Sequence, residues 1–434
     1  MPHDSDPQLR GEKVVKVRVV CALVALASGG VLVGAGPASA AAAGSLDPAF
    51  GGGGKVLTSL GGQQPSDAVL QPNGDILVAV NGGGAFGVLR YLPNGSLDTG
   101  FGSGGFAQFI PASVGGQTSL EVTTRALALQ PDGQIVVVGD VSSLSGQVVD
   151  VGVARFNANG SVDTGFGTDG AVTTPVFAPS AGFADEVTDA VLIQSNGDIL
   201  LGTSASQTTY HSEVTTGAVL RYTAAGVLDP SFGSGGVVVS GSLGDVTTLG
   251  IDASGDVFVL PIAVELSAAG QFDVSVTAEP IVASSLGGGY AFLPDGQYVA
   301  AESVGVAKHN TEVEARRFNA GGAVDPTFDN VLLHYSGTGA SQDSAGAIVV
   351  SSSGQIVYGG SQFFDTSVFG VAQVDANGAA DSAFGTGGAL TTDLQGDDSV
   401  ASLLIQSNGD IVAVGSSEDN STGQVDIALA RYVG

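Results

Sequence analysis

Residues Gly44–Gly51 (GSLDPAFG) complete a motif that residues Ile427–Gly434 (IALARYVG) leave unfinished. Inside the chain, a strand ending in Arg-aromatic runs through a short turn into Leu-Asp-x-x-Phe-Gly, as in Arg90–Gly102 (RYLPNGSLDTGFG). After Arg431-Tyr432 the chain stops, and the missing half of the motif stands at its other end. A repeat divided between two termini is the pattern of a ring closed by its own ends.

The same unit recurs seven times along the chain. A tight hairpin signal, of the type Pro-Asn-Gly or Ser-Asn-Gly, precedes a run rich in β-branched residues, with its glycine at 74, 133, 197, 255, 296, 354 and 409. Asn-Gly and Asp-Gly predict two-residue turns with both central residues at positive φ. The glycines are 59, 64, 58, 41, 58 and 55 residues apart, so nearly every unit has room for four short strands. In the first unit these fall at 67–71, 75–80, 86–91 and 105–110. Runs such as Asp75–Val80 (DILVAV) are almost continuously apolar, which suits sheets covered on both faces. Asp-x-x-Phe begins at Asp47, Asp98, Asp163, Asp229, Asp325 and Asp381, and is degenerate near Phe272-Asp273. The Arg-aromatic pair stands at Arg90, Arg155, Arg221, Arg317 and Arg431, with Leu266-Ser267 and Gln373-Val374 as the exceptions.

These readings predict an all-β chain forming a single seven-bladed β-propeller of four-stranded blades. Radial repetition leaves only short, protected sheet edges. The period is too long for a β-solenoid, and one split repeat fits one ring better than two. The anchors, which cover 44–434, resemble the delta-60 repeat family of bacterial secreted and surface proteins, and more distantly NHL-type propellers. The resemblance implies that the strand before each hairpin lines a central channel. It also makes Gly44–Leu60 the outer strand of the last blade, closing the ring. It implies no shared activity, because the repeat alone defines the family. The unit around 249–285 departs furthest from the pattern.

Residues 1–40 read as a cleaved signal peptide. Arg10, Lys13, Lys16 and Arg18 precede an apolar run, and Ala38-Ser39-Ala40 offers a small-residue cleavage site. The propeller domain is then 41–434, exported and free of cysteine, so its stability must come from its core. Taking away the leader's four basic and three acidic residues leaves 9 Lys+Arg against 39 Asp+Glu. Such a surface is a poor match for nucleic acid or anionic lipid, and suits cationic partners or divalent ions.

Five of those nine basic residues occupy one repeat position. Arg90, Arg155, Arg221, Arg317 and Arg431 are therefore expected to hold the repeat aspartates Asp47, Asp98, Asp163, Asp229, Asp325 and Asp381 in structural ion pairs. Carboxylates gather just before the channel-lining strands, with Asp67, Glu121, Asp189, Asp245, Asp343 and Asp398 as a candidate channel-mouth binding group. Oxygen ligands of this kind suit Ca²⁺, the one cofactor the residues suggest; solvated residues capping strand ends are the plainer reading. They share no single repeat offset, and no complete calcium loop is present.

No catalytic constellation stands out. His211, His309 and His334 are unpaired in spacing and are expected in exposed loops or edges. Gly51–Lys55 (GGGGK) lacks the Ser/Thr of a phosphate loop and reads as a turn. The expected function is an extracellular, monomeric binding or scaffold module for an unknown protein or glycan. A carboxylate-based hydrolase or lyase at a channel mouth, and a structural surface protein, are the alternatives. The insertions Pro175–Asp185 and Gln207–Thr216 are the expected partner-specific surfaces.

Overall fold

A computed structural model describes residues 42–112, 120–143, 149–177, 184–208, 213–252, 254–272, 289–293, 296–307, 310–319, 322–335, 342–363 and 366–434. Residues 1–41, which include the expected leader, His211, His309, and 253 and 273–285 of the departing unit lie outside them.

The strands assemble into antiparallel units in which sequence neighbours pair. Unit 1 contains Gln64–Leu70, Ile76–Asn81, Phe86–Tyr91 and Phe106–Phe109. Unit 2 contains Leu120–Leu129, Ile135–Ser143, Val149–Phe156 and Ala171–Thr174. Unit 3 contains Ala184–Ile193, Ile199–Thr208, Glu213–Tyr222 and Val237–Ser240. Unit 4 shows three short strands, Thr248–Ile251, Val257–Leu260 and Val264–Leu266. Unit 5 has Tyr290–Phe292, Tyr298–Ala307, Asn310–Phe318 and the two-residue Leu332–Leu333. Unit 6 has Gln342–Val350, Ile356–Phe363, Ser367–Val374 and Ala389–Thr392. Units 5 and 6 join into one sheet at a single parallel pair, Thr311 with Gln342.

Unit 7 takes strands from both ends of the chain. Asp397–Ile405, Ile411–Asp419 and Gln424–Tyr432 are followed in the sheet by Lys55–Ser59, paired from Lys55↔Ala430 to Ser59↔Asp426. The units' first strands run beside one another, and that of unit 7 lies beside that of unit 1.

The core is a series of apolar layers, each between two units. Ile76 to Val80 are all fully buried because one face meets unit 2 and the other unit 7. Each repeat phenylalanine is a wedge in such a layer: Phe101 toward unit 2, Phe166 toward unit 3, Phe232 toward unit 4 and Phe50 toward unit 1. Burying such a ring is worth about 1.5–3 kcal/mol. Wedge and turn fit closely. Gly226 has φ +83, and a Cβ there would stand 2.8 Å from the Phe166 ring. Only glycine supplies both the backbone angle and the space.

The hairpins differ from expectation. Gln71 N–H donates to Asp75 O at 2.8 Å and Gly74 N–H to Gln71 O at 2.9 Å, so the loop has three residues, 72–74. Only Gly74 has positive φ. The turn is therefore a type I turn followed by a left-handed glycine, which leaves the first two loop positions open to Pro, Asp, Ser or Asn.

Candidate functional site

The two ends of the units are chemically different. At the end carrying the hairpins, the repeat arginines form composite clamps. Arg90 pairs with Asp98 at 2.6 Å, its guanidinium lies 4.5 Å from the Phe101 ring centroid, and Nη1 donates to Ala158 O of unit 2 at 2.6 Å. Arg221 repeats this with Asp229 at 2.8 Å, Phe232 and Ala268 O, and Arg317 with Asp325 at 2.8 Å, Phe328 and Ala376 O. Arg155 holds Asp163 at 2.7 Å and donates to Ala224 O, and Arg431 holds Asp47 at 2.6 Å and donates to Pro93 O. The sequence pointed to the aspartate partner. It did not show the guanidinium reaching across to a carbonyl of the next unit. Asp381 has no arginine at its repeat position; its backbone N–H donates to Gln373 O.

The fourth unit corrects the register of the motif. Leu266 bridges Phe272 as Tyr91 bridges Leu97, so Leu266 stands at the aromatic position and Glu265, not Leu266, at the arginine position. Ligand oxygens of Asp252, Asp256 and Glu265 lie within 4.8 Å of one another, the one such group of three among the described residues. Where five other units place a guanidinium, this one places a third carboxylate.

The end away from the hairpins collects buried acids. Asp140 faces Thr123, Asp150 faces Val141, Glu302 faces Glu314, Asp343 faces Gln362 and Asp398 faces Ser417 in the strand registers. In units 2 and 3, Arg125 Nε donates to Asp140 at 2.7 Å, and Thr188 N–H donates to the other oxygen at 2.8 Å. Glu186 is buried, and its nearest donor is Thr203 Oγ1 at 3.5 Å. Burial, reinforced by the charges of Asp140 and Asp150, pushes Glu186 up to about 8. Burial raises Asp140 and Asp150 as well. In unit 5, burial raises Glu302 although Arg316 stands 3.8 Å away. Asp398 is fully buried with Oδ1 unbonded, and burial pushes it up to about 6.

At the hairpin end the shift is opposite. The Arg90 guanidinium lowers Asp98, and the Ala49 and Ser231 N–H groups lead the lowering of Asp47 and Asp229.

The six predicted channel-mouth carboxylates are not brought together. Asp67 accepts from Leu127 N–H of unit 2 at 3.1 Å and so links two units. Glu121 is exposed and Asp189 half-buried. Asp245 is exposed and accepts from Ser204 Oγ at 2.7 Å. Asp343 and Asp398 do belong to the acidic end. Asp140, Asp150, Glu302 and Glu314 were missed because they sit on second and third strands. Their signal was a lone charge in an otherwise apolar run, as in Ile135–Asp140 (IVVVGD). His334, expected to be exposed, is instead set between Glu312 and Asp343. A separate open cleft of about 480 Å³ lies at the seam, lined by Lys55, Asp393, Gln395, Thr392 and Tyr432 among others.

Wedges, clamps and four-stranded units together define a β-propeller. The family described as "Domain of unknown function (DUF5122) beta-propeller" matches residues 71–101, 130–166 and 194–232, so three of the repeats are similar to that family. The search of curated proteins found no match. Among solved structures, a catalytically inactive virginiamycin B lyase from Staphylococcus aureus with quinupristin is similar at 10% identity. The alignment covers 87% of this chain and 99% of that one, with a TM-score of 0.46. An α-L-arabinanase from Penicillium chrysogenum complexed with arabinobiose is similar at 14% identity, covering 86% and 97%, with a TM-score of 0.43. An α-L-arabinofuranosidase from Fusarium graminearum is similar at 10% identity, covering 87% and 97%, with a TM-score of 0.45. None of their activities transfers to this chain at such identities.

Proposed function

We propose that the chain is a secreted, monomeric, seven-bladed propeller, closed by its N-terminal strand, that works outside the cell as a binding module. Its recognition end is the acidic one, and its partner is a protein or glycan bearing cationic groups. One observation carries this reading: carboxylates crowd that end with only Arg125 and Arg316 beside them among the described arginines, the other five being spent on the hairpin-end clamps. The seven-bladed ring is supported by the apolar layer that joins units 7 and 1, which has the same make-up as those between the other units. Ca²⁺ belongs to the same class of ligand, and Asp252, Asp256 and Glu265 are near enough to share one ion.

Calorimetric titration with basic peptides and with amino-sugar and uronic-acid oligosaccharides tests the reading. The cationic ligands are expected to bind, weakening with salt and on Glu302→Gln or Asp150→Asn. Preference for the uronic acids, or binding indifferent to both substitutions, refutes it.

A second reading, a secreted hydrolase or lyase, is favoured by Glu186 alone. Burial leaves it protonated near neutrality, the state a general acid needs. Turnover of a polysaccharide panel, lost in Glu186→Gln with binding retained, would establish it.

A further inference from the structure

The outer strand of unit 5 is the shortest in the molecule among the described residues. Leu332–Leu333 pairs with Asn310–Phe318 at two positions only, Val313↔Leu333 and Glu314↔Leu332. The corresponding outer strands of units 1, 2, 3 and 6 each pair at four. A two-residue ladder is weak, because few bonds offset the cost of ordering the strand.

The next residue fastens it. His334 continues the strand opposite Glu312, with Nε2 at 2.9 Å from Glu312 Oε1 and Nδ1 at 3.2 Å from Asp343 Oδ2. Both partners are carboxylates, which when ionised only accept. Both ring nitrogens must therefore carry hydrogen for both contacts to be hydrogen bonds, and the doubly bonded ring is the imidazolium. Asp343 also accepts from Tyr335 N–H and Gln362 Nε2, each at 3.1 Å, and its side chain is fully buried. Glu312 keeps a side-chain exposure of 20%. Thr311 Oγ1 donates to Asp343 O at 2.8 Å, so the latch sits where units 5 and 6 share their one backbone pair.

We infer that His334 is a proton-operated latch that holds the Leu332–Leu333 strand against its sheet while the ring is doubly protonated and releases Glu312 when a proton is lost. A neutral ring has one N–H. It stays on the buried Asp343, which cannot turn to water, and Nε2 then presents a lone pair to the Glu312 carboxylate. Among the described residues, the other ionisable groups around it do not supply a substitute cation. On the Glu312 strand, Arg316 is bound to Glu314 at 2.8 Å and stands near Glu302 of the adjoining strand. From the unit 6 side come Asp343, already bonded, and Tyr358, a buried phenol, while Tyr335 on the latch segment donates its hydroxyl to Ser344 O. The ring loses that proton as pH rises, so the latch is fastened on the acid side of the change and free on the alkaline side.

Hydrogen–deuterium exchange across 330–335, corrected for the intrinsic pH dependence of exchange, tests this on the chain without its leader. Protection is expected to fall roughly tenfold between about pH 5 and pH 8.5. His334→Gln should show no such fall. Glu312→Gln should stay protected at both ends, because an amide accepts from Nε2–H and donates to a bare Nε2 alike. Equal protection at both pH values in the wild type overturns the inference, as does a fall that persists in Glu312→Gln. Should His334→Gln fail to fold, the Glu312→Gln comparison decides alone.

Discussion

Gly44 donates its backbone N–H to the carbonyl of Val433 at 2.7 Å. In covalently continuous repeats the same bond runs from Gly95 to Leu92 at 2.9 Å and from Gly160 to Asn157 at 2.8 Å. Val433 N–H returns to Ser45 O at 2.9 Å as Leu92 N–H does to Ser96 O. Asp47 N–H reaches Arg431 O as Asp98 N–H reaches Arg90 O. The turn split between the termini is thus rebuilt, bond for bond, without a peptide link.

That seam should be the point on which stability turns. Arg431 is 10% exposed, and its loss leaves Asp47 sheltered and Pro93 O without its guanidinium donor. Arg431→Met is expected to cost about 2–4 kcal/mol by urea unfolding. Removing Gly44–Leu60 takes the outer strand and the Phe50 wedge together, and should lower the melting midpoint more than any other terminal deletion of equal length. A truncated protein that melts like the full one refutes the closure.

The repeat, its period, its wedges and the aspartate–arginine pairs were legible because each recurs, and recurrence separates signal from composition. The carbonyl acceptors of the clamps were not, because a backbone oxygen leaves no mark in sequence. Glu265 was misplaced by one position because unit 4 lacks both the arginine and the aromatic that mark the register in units 1, 2, 3, 5 and 7. The acidic end was half legible. Asp343 and Asp398 stand at the second position of first strands and could be picked out, whereas the partners of Glu186 come from Asp140 and Asp150 in another unit, a juxtaposition set by inter-unit packing.

Glu186 makes stability depend on pH in a direction opposite to the clamp aspartates. Its folded value of about 8 lies above the ordinary 4.5, so the folded state binds the extra proton. Its contribution is whole below about pH 4.5 and is lost as pH rises to about 8. Glu186→Gln cannot ionise, so its stability relative to wild type should climb across that window by a few kcal/mol at most, on the order of what the shift allows. Parallel unfolding curves for the two proteins from about pH 5 to 8 would refute the assignment.

Glu265 puts a carboxylate where a clamp cation belongs, beside Asp252 and Asp256. Repulsion between partly exposed charges is screened by salt. Glu265→Arg is therefore expected to gain about 1 kcal/mol at low ionic strength and less at high. A gain independent of salt would assign the effect to packing.

A chain whose split turn already carries the bonds of an intact one should tolerate moving the split. Joining Val433 to Gly44 through Pro-Asn recreates the Leu92–Gly95 turn, and opening the chain between Asn159 and Gly160 places the new termini in the same turn of unit 2. The Gly160–Asn157 bond then stands where Gly44–Val433 stood, and Arg90, held by Asp98, still donates to Ala158 O beside the new break. Every unit keeps its strands and neighbours, and only the place of the missing peptide bond changes. The permuted protein is expected to melt within about 5 °C of the parent, since a stability change near 1 kcal/mol moves a domain of this size by only a few degrees. Reopening instead inside Ile76–Asn81, where every residue is buried or nearly so, should abolish folding. If the first permutant is as damaged as the second, the seam at Gly44 and Val433 is not equivalent to the other turns.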